Sequence, residues 1–169
     1  DDARQGSLLQ TSAKDLHEHE LVLASVKRHL VSLGLKPEHP DAPGLRKLAN
    51  VQHLHTPVRA SLNPDTSLLD AVAQLHPTPA VGGSPREDAV PAIRELEGFP
   101  RGLYAGALGW LNARGGGEFM VGIRSALVRG NHARVYAGAG IVAGSTPEKE
   151  TRETELKFQA LLEGLLPRS

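Results

Sequence analysis

Leu103 to Gly140 reads LYAGALGWLNARGGGEFMVGIRSALVRGNHARVYAGAG. The runs LYAGALGWLN, GEFMVGIRSALVRG and HARVYAGAG are strand-like and are separated by ARGGG and GN, both strong turn signals. Connections this short join antiparallel neighbours. The stretch therefore predicts an antiparallel meander.

Helical patterns lie on both sides of it. Upstream, Leu16, His19, Leu23, Val26 and Leu30 recur at three- and four-residue steps and predict a helix from about Ala13 to Leu33, with Gly34 as its stop. Lys36 to Gly44 reads as a loop. Val51 to Leu62 reads as a strand in which Pro57 marks an edge or a bend. Ser67 should cap a short helix over Leu68–Leu75. The Pro- and Gly-rich His76–Pro85 predicts a defined loop, followed by a helix over about Glu87–Leu96 with Pro91 weakening its first turns. Downstream, Pro147 opens a last helix reaching about Leu166, with Ser145 or Thr146 as cap. Antiparallel strands packed with helices make the expected class α+β.

The bulk numbers exclude several functions. Lys+Arg and Asp+Glu both total 19, so the net charge is zero. A general nucleic-acid or membrane-surface binder needs a basic excess that is absent here. No apolar run approaches the roughly 20 residues of a membrane helix. The chain has 169 residues, 40% of them hydrophobic, and no cysteine. It can pack a core as one domain or a large piece of one, it can have no disulfide or thiolate metal site, and it suits a cytoplasmic setting. It begins Asp1-Asp2 without an initiator Met, from which we expect a missing N-terminal segment.

Two acid pairs are the chemical features that spacing exposes. Asp15 and Glu18 are three apart on the first helix, and Glu150 and Glu153 three apart on the last. Residues at that spacing share a helix face. If the helices pack side by side, four carboxylates make a hard-ligand cluster suited to Mg²⁺. The same spacing is equally what solvated helix surface carries, and acids are favoured near a helix N-terminus anyway. His17-Glu18-His19 is not a zinc motif, because its histidines project about 200° apart on a helix.

Lys14–Val22 (KDLHEHELV), Gln52–Ala60 (QHLHTPVRA), Leu75–Pro85 (LHPTPAVGGSP), Arg101–Trp110 (RGLYAGALGW), Gly117–Val128 (GEFMVGIRSALV) and Val135–Lys157 (VYAGAGIVAGSTPEKETRETELK) occur in this order. Together they resemble the chorismate-binding enzymes, which include isochorismate, salicylate, anthranilate and aminodeoxychorismate synthases. The resemblance spans nearly the whole chain and implies the C-terminal portion of that fold, as a single segment over residues 1–169.

The resemblance also assigns roles. Glu18 and Glu153 match the Mg²⁺ ligands, and Asp15 and Glu150 match partners acting through metal-bound water. His53 matches the active-site histidine beside the reacting ring; on residues alone it reads as a core histidine in a sheet. Arg124 matches the arginine holding the pyruvyl carboxylate of chorismate, a task suited to a planar guanidinium. Gly138 matches a glycine whose N–H approaches the same carboxylate, and Tyr104 a position close to the pyruvyl group. Lys157 matches a lysine near the metal and the ring carboxylate. Alone, these four would read as an ion-paired strand arginine, a strand-end glycine, a packed core aromatic and a solvated helix lysine.

By the same resemblance, water adds to one ring carbon of chorismate while hydroxide leaves another, with a lysine as base and a glutamate as acid. Both lie upstream of the first helix in the family, as do its serine-proline-glutamate motif and its glycine-rich turn. The chain is thus expected to be inactive alone, and to expose apolar surface that self-association could cover. Ala80, HLHTPV and the GEF before Arg124 favour isochorismate synthase, in a menaquinone or siderophore pathway, over salicylate synthase and the amine-forming enzymes. A fragment that only binds Mg²⁺ or a carboxylate ligand is the alternative of another class.

Overall fold

The computed structural model describes residues 10–47 and 52–165. The chain divides into two compact units, one comprising Asp1–Pro79 with Arg114–Gly116, the other Ala80–Ala113 with Gly117–Ser169.

The first unit is built on helix α1, Ala13–Ser32. Ser12 caps it by accepting the Asp15 N–H at 3.3 Å. Its far end closes as a Schellman turn: Gly34 N–H donates to Val31 O at 2.9 Å and Leu35 N–H to Leu30 O at 3.1 Å. Gly34 takes φ +72°, the conformation that this closure requires and that only glycine adopts without strain. Leu30 and Leu35, the apolar pair that accompanies such turns, are both buried. Helix α2, Leu68–Leu75, carries a reciprocal capping box between Ser67 and Asp70. It buries Ala71 and reaches α1 through Gln74 Nε2, which donates to Ser32 Oγ at 2.9 Å.

Strands β1 (Gly44–Lys47) and β2 (Gln52–His55) pair antiparallel, Arg46 opposite His53. The expected strand over Val51–Leu62 is shorter than its sequence pattern. Val51 lies outside the described residues, and regular pairing stops before Pro57, which has no N–H to offer a ladder. Beyond it, Arg59 forms only an isolated bridge with Glu38, through bonds of 2.7 and 2.9 Å.

One short helical turn, α3 (Pro79–Gly82), begins at the last residue of the first unit's main segment and runs into the second, inside the expected loop; α4, Arg86–Glu97, follows. Pro91 lies within α4, and Gly98 ends it at φ +66°. Strands β3 (Ala107–Leu111) and β4 (Gly117–Val121) form one antiparallel hairpin, and β5 (Ser125–Arg129) and β6 (His132–Tyr136) another. Helix α5, Pro147–Leu165, closes the unit, with Thr146 O accepting from Lys149 and Glu150 N–H at 3.1 Å each.

The expected continuous meander is not what forms. The run GEFMVGIRSALVRG breaks into β4 and β5, and among the described residues the hairpins share no ladder. Gly122 N–H donates back to Gly106 O at 2.8 Å, Ile123 N–H to Val121 O at 2.9 Å, and Arg124 takes φ +47°. A residue in the left-handed region turns the backbone out of the extended path, so β5 cannot continue β4.

Candidate functional site

The second unit gathers most of the expected site residues, linked by contacts that cross long stretches of sequence. Lys157 on α5 holds two acceptors at once, the Gly138 carbonyl at 2.8 Å and Glu153 Oε1 at 2.7 Å. The Lys157–Glu153 step is an i,i+4 pair that the helix itself supplies. Its reach to Gly138 ties α5 to the segment following β6.

Tyr104 also approaches Gly138. Its hydroxyl oxygen lies 2.8 Å from the position a Cβ on Gly138 would take, so only glycine leaves that hydroxyl its place. The Tyr104 ring stacks on Tyr136 at 5.1 Å between centroids, and the Arg101 guanidinium lies over it at 5.6 Å. Burial pushes the Tyr104 phenol pKa up, with the Arg101 charge opposing and Glu97 adding to the rise.

Arg101 is anchored in turn. It gives Nε and Nη2 to the two Glu97 carboxylate oxygens, at 2.7 and 2.5 Å, and Nη1 to the Val81 carbonyl at 2.7 Å. Its pKa is raised chiefly by the Glu97 bonds. The sequence reading did not single out Arg101. Its signal was present: an arginine four residues after an acid and three before a tyrosine.

The remaining expected residues of this unit stand elsewhere in it. Arg124 is exposed just before β5 rather than within a strand. Ala80 is exposed in α3, beside the Val81 whose carbonyl Arg101 takes. Glu150 lies on α5 with only 7% exposure, which a solvated helix surface does not account for.

The first unit holds Asp15, Glu18 and His53. Asp15 is half-buried. Glu18 Oε1 is screened from solvent and has no hydrogen-bond partner, with the Lys14 ammonium 3.7 Å away. His53 stands on the exposed face of β2, so the core-histidine reading from residues alone is not what folds. Its neighbour in the same motif, Thr56, bonds His19 Nε2 at 2.7 Å.

Each acid pair therefore lies in a different unit. Among the described residues, no group of three or more His, Asp or Glu side chains stands together ready to hold a metal. The donor chemistry within each pair nonetheless fits Mg²⁺. It consists of hard carboxylate oxygens, one of them a screened oxygen without a donor, and the opposite pair includes a buried acid. No helix among the described residues is long and apolar enough to cross a membrane.

Paired hairpins packed with helices, and a tyrosine–glycine–lysine–glutamate cluster drawn from motifs far apart in sequence, are the features set beside known proteins. The chain belongs to the family described as "Chorismate binding enzyme", whose model matches residues 1–166. It is 49% identical over 165 residues to the "Salicylate biosynthesis isochorismate synthase" of Pseudomonas aeruginosa, and 44% identical over 165 residues to the isochorismate synthase MenF of Bacillus subtilis. Each match covers 98% of this chain and 35% of the relative, so the chain spans about a third of their length. Among solved structures it resembles the putative 2,3-dihydroxybenzoate-specific isochorismate synthase DhbC of Bacillus anthracis, with a TM-score of 0.91 and 44% identity over 97% of this chain and 44% of that one. It also resembles MenF, the menaquinone-specific isochorismate synthase of Escherichia coli, with a TM-score of 0.84 and 38% identity over 95% and 37%. The mixed fold of helices and antiparallel strands expected from sequence is the one observed.

Proposed function

We propose that this chain is the C-terminal segment of a magnesium-dependent isochorismate synthase and supplies its metal- and pyruvyl-binding groups. The observation that carries the reading is Lys157, which joins the Gly138 carbonyl to the Glu153 carboxylate and so links the pyruvyl side of the site to a metal ligand. The substrate is chorismate and the product isochorismate. The relatives' names cover menaquinone, salicylate and 2,3-dihydroxybenzoate branches, which share this reaction.

In this reading Arg124 grips the pyruvyl carboxylate through two N–H bonds. Gly138 offers its N–H to the same group, with Tyr104 alongside. Lys157 places a positive charge near the ring carboxylate, and His53 stands beside the ring. Ala80 lines the pocket. Glu18 and Glu153 would ligate Mg²⁺ directly, with Asp15 and Glu150 acting through water. The ion, when bound, anchors the ring carboxylate and neutralises charge as the double bonds shift. We assign the general base and general acid to no residue of this chain. The reading further takes the cytoplasm as the setting, and takes the exposed apolar face of β3–β4 as one that a second copy would cover.

Two measurements test this. Calorimetric titration of Mg²⁺ should show weaker binding for Glu18→Gln than for the wild type; equal heats would remove Glu18 from the metal site. Incubated with chorismate and Mg²⁺, the chain should bind substrate without robust turnover. Rapid isochorismate formation would place the base and acid within it, and salicylate formed without a second enzyme would indicate a salicylate synthase instead.

A further inference from the structure

Arg101 touches three separate parts of the second unit. Both edges of its guanidinium are bonded, one to Glu97 at the end of α4 and the other to the Val81 carbonyl in α3, while its face lies over Tyr104. The cation is only partly exposed, as is its partner, each side chain at 28%. A guanidinium with all three directions occupied has one orientation available. Tyr104, which both Arg101 and Tyr136 contact through its ring, has its hydroxyl 2.8 Å from the place a Cβ on Gly138 would take. We propose that Arg101 is a positioning residue, which Glu97 and the Val81 carbonyl lock in place so that it fixes the Tyr104 ring against Gly138 and ties the Ala80 turn to the same site.

The functional consequence rests on the reading of Tyr104 and Gly138 as the pyruvyl side of a chorismate site. A ring fixed before substrate arrives need not be ordered on binding. Lysine cannot replace the arginine, because an ammonium keeps the charge but cannot hold two carboxylate oxygens, a carbonyl and a ring face together.

The test uses the tyrosine itself. The chain has 2 tyrosines, so Tyr136→Phe leaves Tyr104 as the sole phenol while retaining the stacked ring. In that background the near-ultraviolet circular dichroism of the Tyr104 ring, which reports how firmly the ring is held, is compared for Arg101→Lys and Glu97→Gln near neutral pH, with far-ultraviolet circular dichroism confirming the fold. The inference requires the tyrosine signal to fall in both variants, and chorismate affinity measured by calorimetry to fall about tenfold. A tyrosine signal unchanged in either variant overturns it. If the signal falls in both but the wild type binds no chorismate, the positioning role stands and the proposed function fails.

Discussion

The Tyr104 hydroxyl oxygen lies 2.8 Å from the point where a Cβ on Gly138 would stand. The backbone of Gly138 is not in the left-handed region, so any cost of adding a methyl there comes from this contact alone. Gly138→Ala should destabilise by about 1–3 kcal/mol, the usual range for overpacking, and should weaken chorismate binding. Tyr104→Phe removes the obstructing oxygen. The double variant should therefore be more stable than the sum of the single changes implies, as read by urea unfolding in a double-mutant cycle. Strict additivity would mean that the tyrosine moves aside freely.

Ser67 and Asp70 test the first unit in the same way. Ser67→Ala removes the hydroxyl that accepts from the Asp70 N–H and donates to its carboxylate, leaves the residue 67 N–H on that carboxylate, and should cost about 1 kcal/mol in urea unfolding. The Asp70 pKa is held low, first by the Ser67 hydroxyl and then by its N–H. A carboxyl with a depressed folded pKa adds stability above its unfolded pKa, and that stability is lost as the pH falls through the folded value. The penalty of Ser67→Ala should therefore shrink in acid below the ordinary carboxylate range. A penalty independent of pH would show that the carboxylate takes no part in the cap.

What the sequence disclosed was whatever a single turn or helix encodes. Ser67 before an apolar run, Gly34 after one, and acids three apart on a helix each act within a few residues, so local pattern suffices. The division of GEFMVGIRSALVRG into two strands was not readable, because both halves have strand composition. The break comes from Arg124 at φ +47° and from Gly122 pairing back to Gly106. The Arg101–Val81 bond and the His19–Thr56 bond join positions 20 and 37 residues apart, and periodicity carries no record of such partners. The roles expected of the candidate site residues came only from the ordered motifs. Spacing alone left Glu150 as helix surface, whereas the fold buries it.

The β3–β4 hairpin leaves one apolar face open. Leu108 and Met120 are register partners, with Trp110 on the same face, and Trp110 and Met120 are 57% and 63% exposed. Large apolar side chains clustered on a strand face are a site of association. The isolated chain should self-associate in sedimentation velocity, and Trp110→Ser with Met120→Ser should shift it toward monomer while circular dichroism is unchanged. A wild type that stays monomeric at high concentration would show that this face needs no cover.

His19 gives the clearest pH signature. Its Nε2 lies 2.7 Å from the Thr56 hydroxyl, and its pKa is lowered by burial above all, with Glu20 pulling it up and His55 pushing it down. A histidine with a depressed folded pKa binds fewer protons folded than unfolded. Between its folded value and the ordinary imidazole value, stability must therefore decline as the pH falls, and it levels off once the pH is below both. His19→Gln removes that term while keeping a side chain able to reach Thr56. Over the mildly acidic range the variant should lose less stability than the wild type in urea unfolding. Thr56→Val should cost about 0.5–1.5 kcal/mol near neutrality by deleting the hydroxyl, and it should leave the burial-driven pH slope in place. If the slope vanishes in Thr56→Val but persists in His19→Gln, the titrating group is not His19.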